Sequence, residues 1–135
     1  MERARIIIIK QGQLLTIRRT RAEGVYWVLP GGALEANESV EDALIREGKE
    51  ELGIEIVAIK KLISLANAKK GLQGQMEHFY MCDIKSGVLG TGDGPEYQVG
   101  GGYHGTYDIS WIPLENLAEY DLRPNKVRDL LLSQT

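Results

Sequence analysis

The chain is 135 residues long, 43% hydrophobic and 26% charged, with a net charge of −3; this suits one domain with an ordinary core and excludes disorder over most of its length. The acidic balance argues against binding a nucleic-acid polymer, which wants a basic face, and the longest apolar run, Ile6 to Ile9, falls far short of the roughly 20 residues that span a membrane. A single cysteine, Cys82, excludes an internal disulfide and a cysteine-rich metal site, and with no apolar leader behind Met1-Glu2-Arg3 the expected location is cytoplasmic.

In chain order, β-branched residues predict a strand over 3–9, buried on both faces. Gln11-Gly12 predicts a tight turn, and Gln13 to Arg19 the returning strand of a hairpin. A polar loop is expected over 21–24, then a short aromatic strand over 25–29 that Pro30-Gly31-Gly32 breaks. A helix is predicted from Ser39 to Leu52. Ser39 with Asp42 makes a capping-box-like start. Val40, Ala43, Leu44 and Leu52 recur at helical spacing, and Gly53 is placed to end the helix. Gly48 inside it costs about 1 kcal/mol relative to alanine, which predicts the close approach of another backbone. Strands follow over 54–64 and 77–83. The glycine-rich stretch 87–105, with Pro95, reads as a long loop of the kind that is often functional. A strand over 106–112, a helical turn over 113–117 and a last helix from Pro124, at its first position, through Leu132 complete the chain. Strands alternating with two or three helices predict a mixed α/β class.

The chemistry concentrates on the predicted helix. Glu50 and Glu51 fall on either side of Glu47 on one face. Like charges at this spacing repel, so something should compensate them. A hard divalent cation does so: Mg2+ takes one or two carboxylates together with substrate phosphates and water. It would also let an acidic protein hold a polyphosphate. A Glu-Glu pair alone is usually a solvated helix face. The wider spacing sets it apart. Gly32, Glu38, Arg46, Glu47, Glu50, Glu51 and Gly53 fit G-x5-E-x7-R-E-x-x-E-E-x-G, followed by aliphatic Ile54. Chance supplies that match in a chain of this size roughly once in a million.

Gly32 to Ile54 resembles the Nudix box, G-x5-E-x7-R-E-U-x-E-E-x-G-U, where U is a bulky aliphatic residue. One position departs: the first U, a packing position, is Gly48. Trp27-Val28-Leu29-Pro30-Gly31-Gly32 resembles the strand leading into the box, and Trp111-Ile112-Pro113-Leu114-Glu115 the later W-[VI]-P-L-[DE] segment. The resemblance to MutT-like Nudix hydrolases implies a single domain over 1–135. It implies an α/β/α sandwich with a mixed β-sheet between helices. It implies hydrolysis of a nucleoside diphosphate linked to a group X with Mg2+, or Mn2+ as a substitute. On that pattern Glu47, Glu50, Glu51 and the Gly32 carbonyl hold the metal. Arg46 orients carboxylates including Glu38, while Gly32, Glu38, Arg46 and Gly53 are structural positions of the box. The expected substrate is a (deoxy)nucleoside triphosphate or related nucleotide, releasing a nucleoside monophosphate. The alternative is a non-catalytic Nudix-fold module that senses a nucleotide; the three intact glutamates speak against it. A homodimer, common in the family, is the expected assembly.

Pyrophosphate hydrolysis needs an oriented water and a base. A carboxylate whose pKa is raised by like-charged neighbours can serve. Glu47 is one candidate, and Glu96, in Gly94-Pro95-Glu96-Tyr97, the other. Arg18, beside Arg19 and Arg21, could grip a phosphate bidentately, against the commoner role of a charged strand end. Tyr26 and Phe79 offer rings for a base, although strand aromatics are more often core. Gly31 and Gly32 offer backbone groups to the substrate. His78 and His104 are acid–base candidates, more commonly structural. The coenzyme A signature begins at Leu14 to Arg18 but fails at Arg19 and Glu23. The proline of many ADP-ribose hydrolases is absent where Lys69-Lys70-Gly71 stands.

Overall fold

Alternation along the first strand divides the core in two. Ala4, Ile6 and Ile8 join Leu15, Ile17, Ala43, Leu44 and Ile56 in one cluster. Ile7, pointing the other way, joins Leu14, Phe79, Ile112, Leu117, Val127 and Leu131 in a second. Where a strand feeds both clusters at successive positions it must be apolar on both faces, which is why 6–9 reads as a continuous hydrophobic run.

A computed structural model describes residues 2–66, 75–90 and 106–133. Its strands are β1 (Glu2–Ile7), β2 (Ile9–Lys10), β3 (Gln13–Arg21), β4 (Gly24–Val28), β5 (Gly31–Ala33), β6 (Ile54–Ala66), β7 (Met76–Gly87), β8 (Thr106–Pro113) and β9 (Leu122–Arg123). Helix α1 (Val40–Glu47) continues into a π-helical turn, Gly48–Leu52. A 3-10 stretch, Leu114–Glu119, and α2 (Asn125–Ser133) follow β8 and β9 respectively. The central layer is two mixed sheets rather than one. One has the order β5-β1-β7-β6; the other runs β2-β3-β4-β9, with β8 on the far side of β3. The strand line changes sheet at Ile8, whose carbonyl takes the Leu15 amide at 2.9 Å. One cluster lies under α1 and the other under α2, giving the layered α/β/α arrangement.

The first hairpin turn stands as expected, and several other expectations shift. Gln11 and Gly12 both have positive φ, 51° and 75°, as a two-residue hairpin turn requires. β3 runs on to Arg21, replacing part of the expected polar loop. The expected break is confined to Leu29-Pro30, because Gly31 and Gly32 are themselves part of β5, which pairs antiparallel with β1. The expected continuous helix over 39–52 is α-helical only to Glu47. Pro124 precedes α2 as its cap, with its carbonyl accepting from the Val127 amide at 3.1 Å. β9 was not foreseen. Residues 67–74 and 91–105, most of the predicted functional loop, lie outside the described residues.

The caps of the box helix follow the sequence. Ser39 Oγ accepts from the Asp42 amide at 3.1 Å, and Gly53 ends the π-helical turn at φ 78°. Gly48 does meet another backbone. A Cβ there would stand 3.2 Å from the Ile54 carbonyl oxygen and 3.2 Å from Ile56 Cγ2. Ile56 thus fills, from β6, the space that a bulky residue would take from the helix. Gly48→Val is expected to destabilise by about 1–3 kcal/mol through overpacking. Adding Ile56→Ala should recover part of that loss, read as a coupling above about 0.5 kcal/mol in a urea double-mutant cycle.

Candidate active site

The site is built where the end of α1 meets β5. Ala4 pairs with Gly32 and Arg5 with Gly31 across β1 and β5. A Cβ on Gly32 would come within 2.7 Å of Glu47 Oε1, so the missing side chain is the space the Glu47 carboxylate occupies. The adjacent Gly31 amide donates to Glu51 Oε1 at 3.2 Å, and Glu51 is only 5% exposed.

The π-helical turn explains this pairing. In an α-helix, residues four apart overshoot a full turn by about 40°. Closing i→i+5 widens the turn and reduces the overshoot, bringing Glu51 nearer to line with Glu47. The Gly53 amide closes such a turn onto the Gly48 carbonyl. Glu47 and Glu51 therefore both face the Gly31-Gly32 backbone, while Glu50 flanks them with its side chain 37% exposed. The symmetric flanking expected from an uninterrupted helix does not occur.

Arg46 gathers the carboxylates. Its Nε and Nη2 donate to the two oxygens of Glu38 at 2.8 and 2.9 Å. Nη1 donates to Glu47 Oε1 at 3.0 Å and to Glu50 Oε2 at 3.1 Å. Nη2 also donates to the Ala33 carbonyl at 3.0 Å, so all five guanidinium hydrogens are used. The exposed Glu35 carboxylate stands 2.8 Å from Nε as well. These acids, the Glu38 hydrogen bonds first, hold the Arg46 pKa above its usual value, so it remains a cation. Arg46→Met would leave Glu38, Glu47 and Glu50 facing one another without a cation. We expect a loss of roughly 3 kcal/mol in urea unfolding, because removing one partner of a partly buried ion-pair network leaves uncompensated charge.

Glu38 carries the reciprocal shift. Its hydrogen bonds from Arg46 hold its pKa below the ordinary 4.5; burial opposes this, and the Glu35 amide bond adds to it. The unfolded chain then binds more protons than the folded one at low pH. Stability from this pair is present above the unfolded pKa near 4.5 and is lost as pH falls through the lower folded value. Urea midpoints between pH 6 and pH 3 should show a steeper acid decline for the wild type than for Glu38→Gln.

Comparison with known proteins identifies the family. The NUDIX domain profile matches residues 1–131. The chain belongs to the Nudix family. Among similar proteins, the nucleoside triphosphatase NudI of Enterobacter sp. (strain 638) is 32% identical over 127 residues, covering 86% of this chain and 84% of that protein. The MutT NUDIX hydrolase structure from Burkholderia pseudomallei is 26% identical with a TM-score of 0.61, covering 84% of this chain and 83% of its own. The solution structure of the E. coli ORF135 protein is 25% identical with a TM-score of 0.67, covering 96% and 84%. The chain is thus a Nudix hydrolase, and among its described residues no helix is long and apolar enough to cross a membrane.

Outside the box of this Nudix hydrolase, the sequence candidates separate. Arg18 is exposed and by alternation shares the α2 face with Leu14 and Thr16. Arg19 and Tyr26 share the α1 face with Leu15, Ile17 and Val28. The Tyr26 ring is occupied by cations: Arg123 Cζ lies 4.1 Å and Arg21 Cζ 5.9 Å from its centroid. Phe79 is a core residue, 1% exposed under α2, and offers no ring face to a base. His78 uses both ring nitrogens on Ser64 Oγ (2.7 Å) and Glu2 Oε1 (2.8 Å). Burial pushes the Cys82 thiol up to about 12, leaving it inert. Glu96 and His104 lie outside the described residues. Sequence reasoning missed Arg5 and Glu77; the available signal was a cation next to the apolar run Ile6 to Ile9.

Among the described residues, no three His, Cys, Asp or Glu side chains close around a metal-sized site. Glu47 and Glu50 are turned onto the Arg46 guanidinium instead. The donor chemistry nevertheless fits a hard divalent cation. Carboxylate oxygens from one helical turn face a glycine whose missing Cβ leaves them room.

Proposed function

We propose that this Nudix hydrolase cleaves the pyrophosphate bond of a (deoxy)nucleoside triphosphate, or a related nucleoside diphosphate linked to a group X, using Mg2+ with Mn2+ as a substitute. The observation that carries the reading is the placement of Glu47 and Glu51 against the Gly31-Gly32 backbone, with Glu50 tied to Glu47 through one Arg46 nitrogen. Similarity to a protein named for nucleoside triphosphatase activity supports the substrate class.

Glu47, Glu50, Glu51 and the Gly32 carbonyl would hold the cation. When bound, it neutralises non-bridging phosphate oxygens and lowers the pKa of water. The chain's own residues do the positioning. Arg46 holds Glu47 and Glu50 in one place, and Glu51 fixes the Gly31 amide. Water adds to one phosphorus, the bridging oxygen leaves with the other, and Glu47 or Glu96 takes the proton. A nucleoside triphosphate would yield a monophosphate and pyrophosphate.

The test is a turnover screen with Mg2+ and Mn2+ over (deoxy)nucleoside triphosphates, oxidised nucleotides, ADP-ribose, nucleotide sugars, dinucleoside polyphosphates and coenzyme A. Monophosphate release from one class, lost in Glu50→Gln, is the expected result. Failure across the panel would sink the reading in favour of a nucleotide-binding module.

A further inference from the structure

The glycine turn that receives the carboxylates is also gripped from behind, by a residue outside the box. Arg5 sits on β1, paired with Gly31 on β5 and Phe79 on β7. Alternation puts its side chain on the α2 face with Ile7, opposite to Ala4 and α1. Its Nη1 donates to the carbonyls of Leu29 and Gly31, each at 3.2 Å. Its Nε donates to Glu77 Oε2 at 3.0 Å. The two side chains are only 21% and 16% exposed, so water competes weakly for these bonds. A half-buried guanidinium is costly unless its hydrogens are satisfied, and here two of its acceptors are backbone.

The consequence is a glycine held through both of its flanking peptides. The Gly31 amide is held from the α1 side by Glu51. The Gly31 carbonyl, part of the peptide unit shared with Gly32, is held from the α2 side by Arg5. One residue back, the Pro30 carbonyl accepts from the Ile6 amide at 2.8 Å. A backbone at φ 136° has no side chain of its own to anchor it, so external bonds must set the orientation of the Gly31-Gly32 peptide plane. Glu51 rests on the amide just before that plane, and Glu47 packs beside Gly32 at its far end.

We infer that Arg5, oriented by Glu77, is a positioning residue for the carboxylate site: it sets the Gly31-Gly32 peptide plane and acts on the reaction only through it. Its effect on turnover rests on the proposed hydrolysis; its effect on the backbone does not.

The experiment uses 15N-labelled full-length protein carrying Arg5→Lys or Glu77→Gln, with amide exchange at Gly31 and Gly32 read beside steady-state kinetics. Lysine keeps the charge but loses the fork that holds Glu77 through Nε while Nη1 holds the two carbonyls. In Arg5→Lys, Gly31 amide exchange should accelerate about 10-fold, and kcat should fall about 10-fold, as for other partners that orient a site from behind. KM should stay within about twofold, since nothing in direct contact with substrate is removed. Glu77→Gln still accepts from Nε, so both readouts should move less. Unchanged Gly31 exchange with unchanged kcat in Arg5→Lys would reduce the pair to an ordinary ion pair and overturn the inference. A raised KM at wild-type kcat would make Arg5 a substrate contact and overturn it equally. If the wild type hydrolyses nothing in the screen, the proposed function fails, while the Gly31 exchange rate still decides the role of Arg5.

Discussion

Gly31→Ala is expected to give a chain without a cooperative unfolding transition. Gly31 has φ 136°, a region closed to side chains other than glycine. Space forbids the methyl group as well: its Cβ would lie 2.0 Å from the Ala4 carbonyl oxygen and 2.9 Å from Arg5 Cα. Both obstacles are backbone atoms of β1, an interior strand of its sheet, so nothing flexible can give way. The cost should exceed about 4 kcal/mol, a large part of the 5–15 kcal/mol that holds a typical domain together. Gly32→Ala is the informative contrast. Its Cβ would meet only the end of the Glu47 side chain, at 2.7 Å from Oε1 and 3.1 Å from Cδ. That carboxylate can swing aside. Gly32→Ala should therefore keep a normal melting transition and lose turnover. Circular dichroism melts on the two variants separate the cases. Equal stability for both would show that β5 does not lie as close to β1 as the structure places it.

The parts of the fold legible in the sequence are those fixed by local chemistry. Gln11-Gly12, the Ser39 cap and the Gly53 stop each act through their own backbone, and each stands where the residues put it. The box residues were legible as a set because their spacing is improbable. Their partition into Glu47 with Glu51 facing the glycines and Glu50 at the flank was not. It depends on a widened turn that begins at Gly48, where β6 packs close, and helical spacing alone does not show that turn. Strand faces were ambiguous for a related reason. Leu14 and Leu15 are both apolar because β3 is buried on both sides there. Alternation therefore did not say whether Arg18 or Arg19 shares the face of α1. Phe79 lost its ring-stacking role because its own face of β7 packs under α2, where it is 1% exposed. Arg5 and Glu77 are 72 residues apart, and only the parallel pairing of β1 with β7 brings them together.

The largest effect on activity should come from Glu50→Gln, and it should come with little change in stability. Glu50 is the most exposed of the three carboxylates, its side chain 37% accessible against 12% for Glu47. Glutamine keeps an oxygen that can accept from Arg46 Nη1, so the hydrogen-bonded frame survives. What disappears is one negative charge from a cluster in which Glu47 and Glu50 share a single guanidinium nitrogen. Relieving that repulsion should leave stability unchanged or raise it by about 0.5 kcal/mol. In turnover the same charge has no substitute, because an amide oxygen is a poor ligand for a hard cation beside phosphates. Loss of one such electrostatic contact costs on the order of 10²–10³-fold in kcat. The pair of measurements is kcat/KM on the best substrate of the screen and the urea midpoint of the same sample. A fall in both together would make Glu50 a structural residue of the Arg46 network. A fall in turnover alone would mark a charge kept at some cost to the fold because the chemistry needs it, which is how a functional carboxylate differs from a solvated helix face.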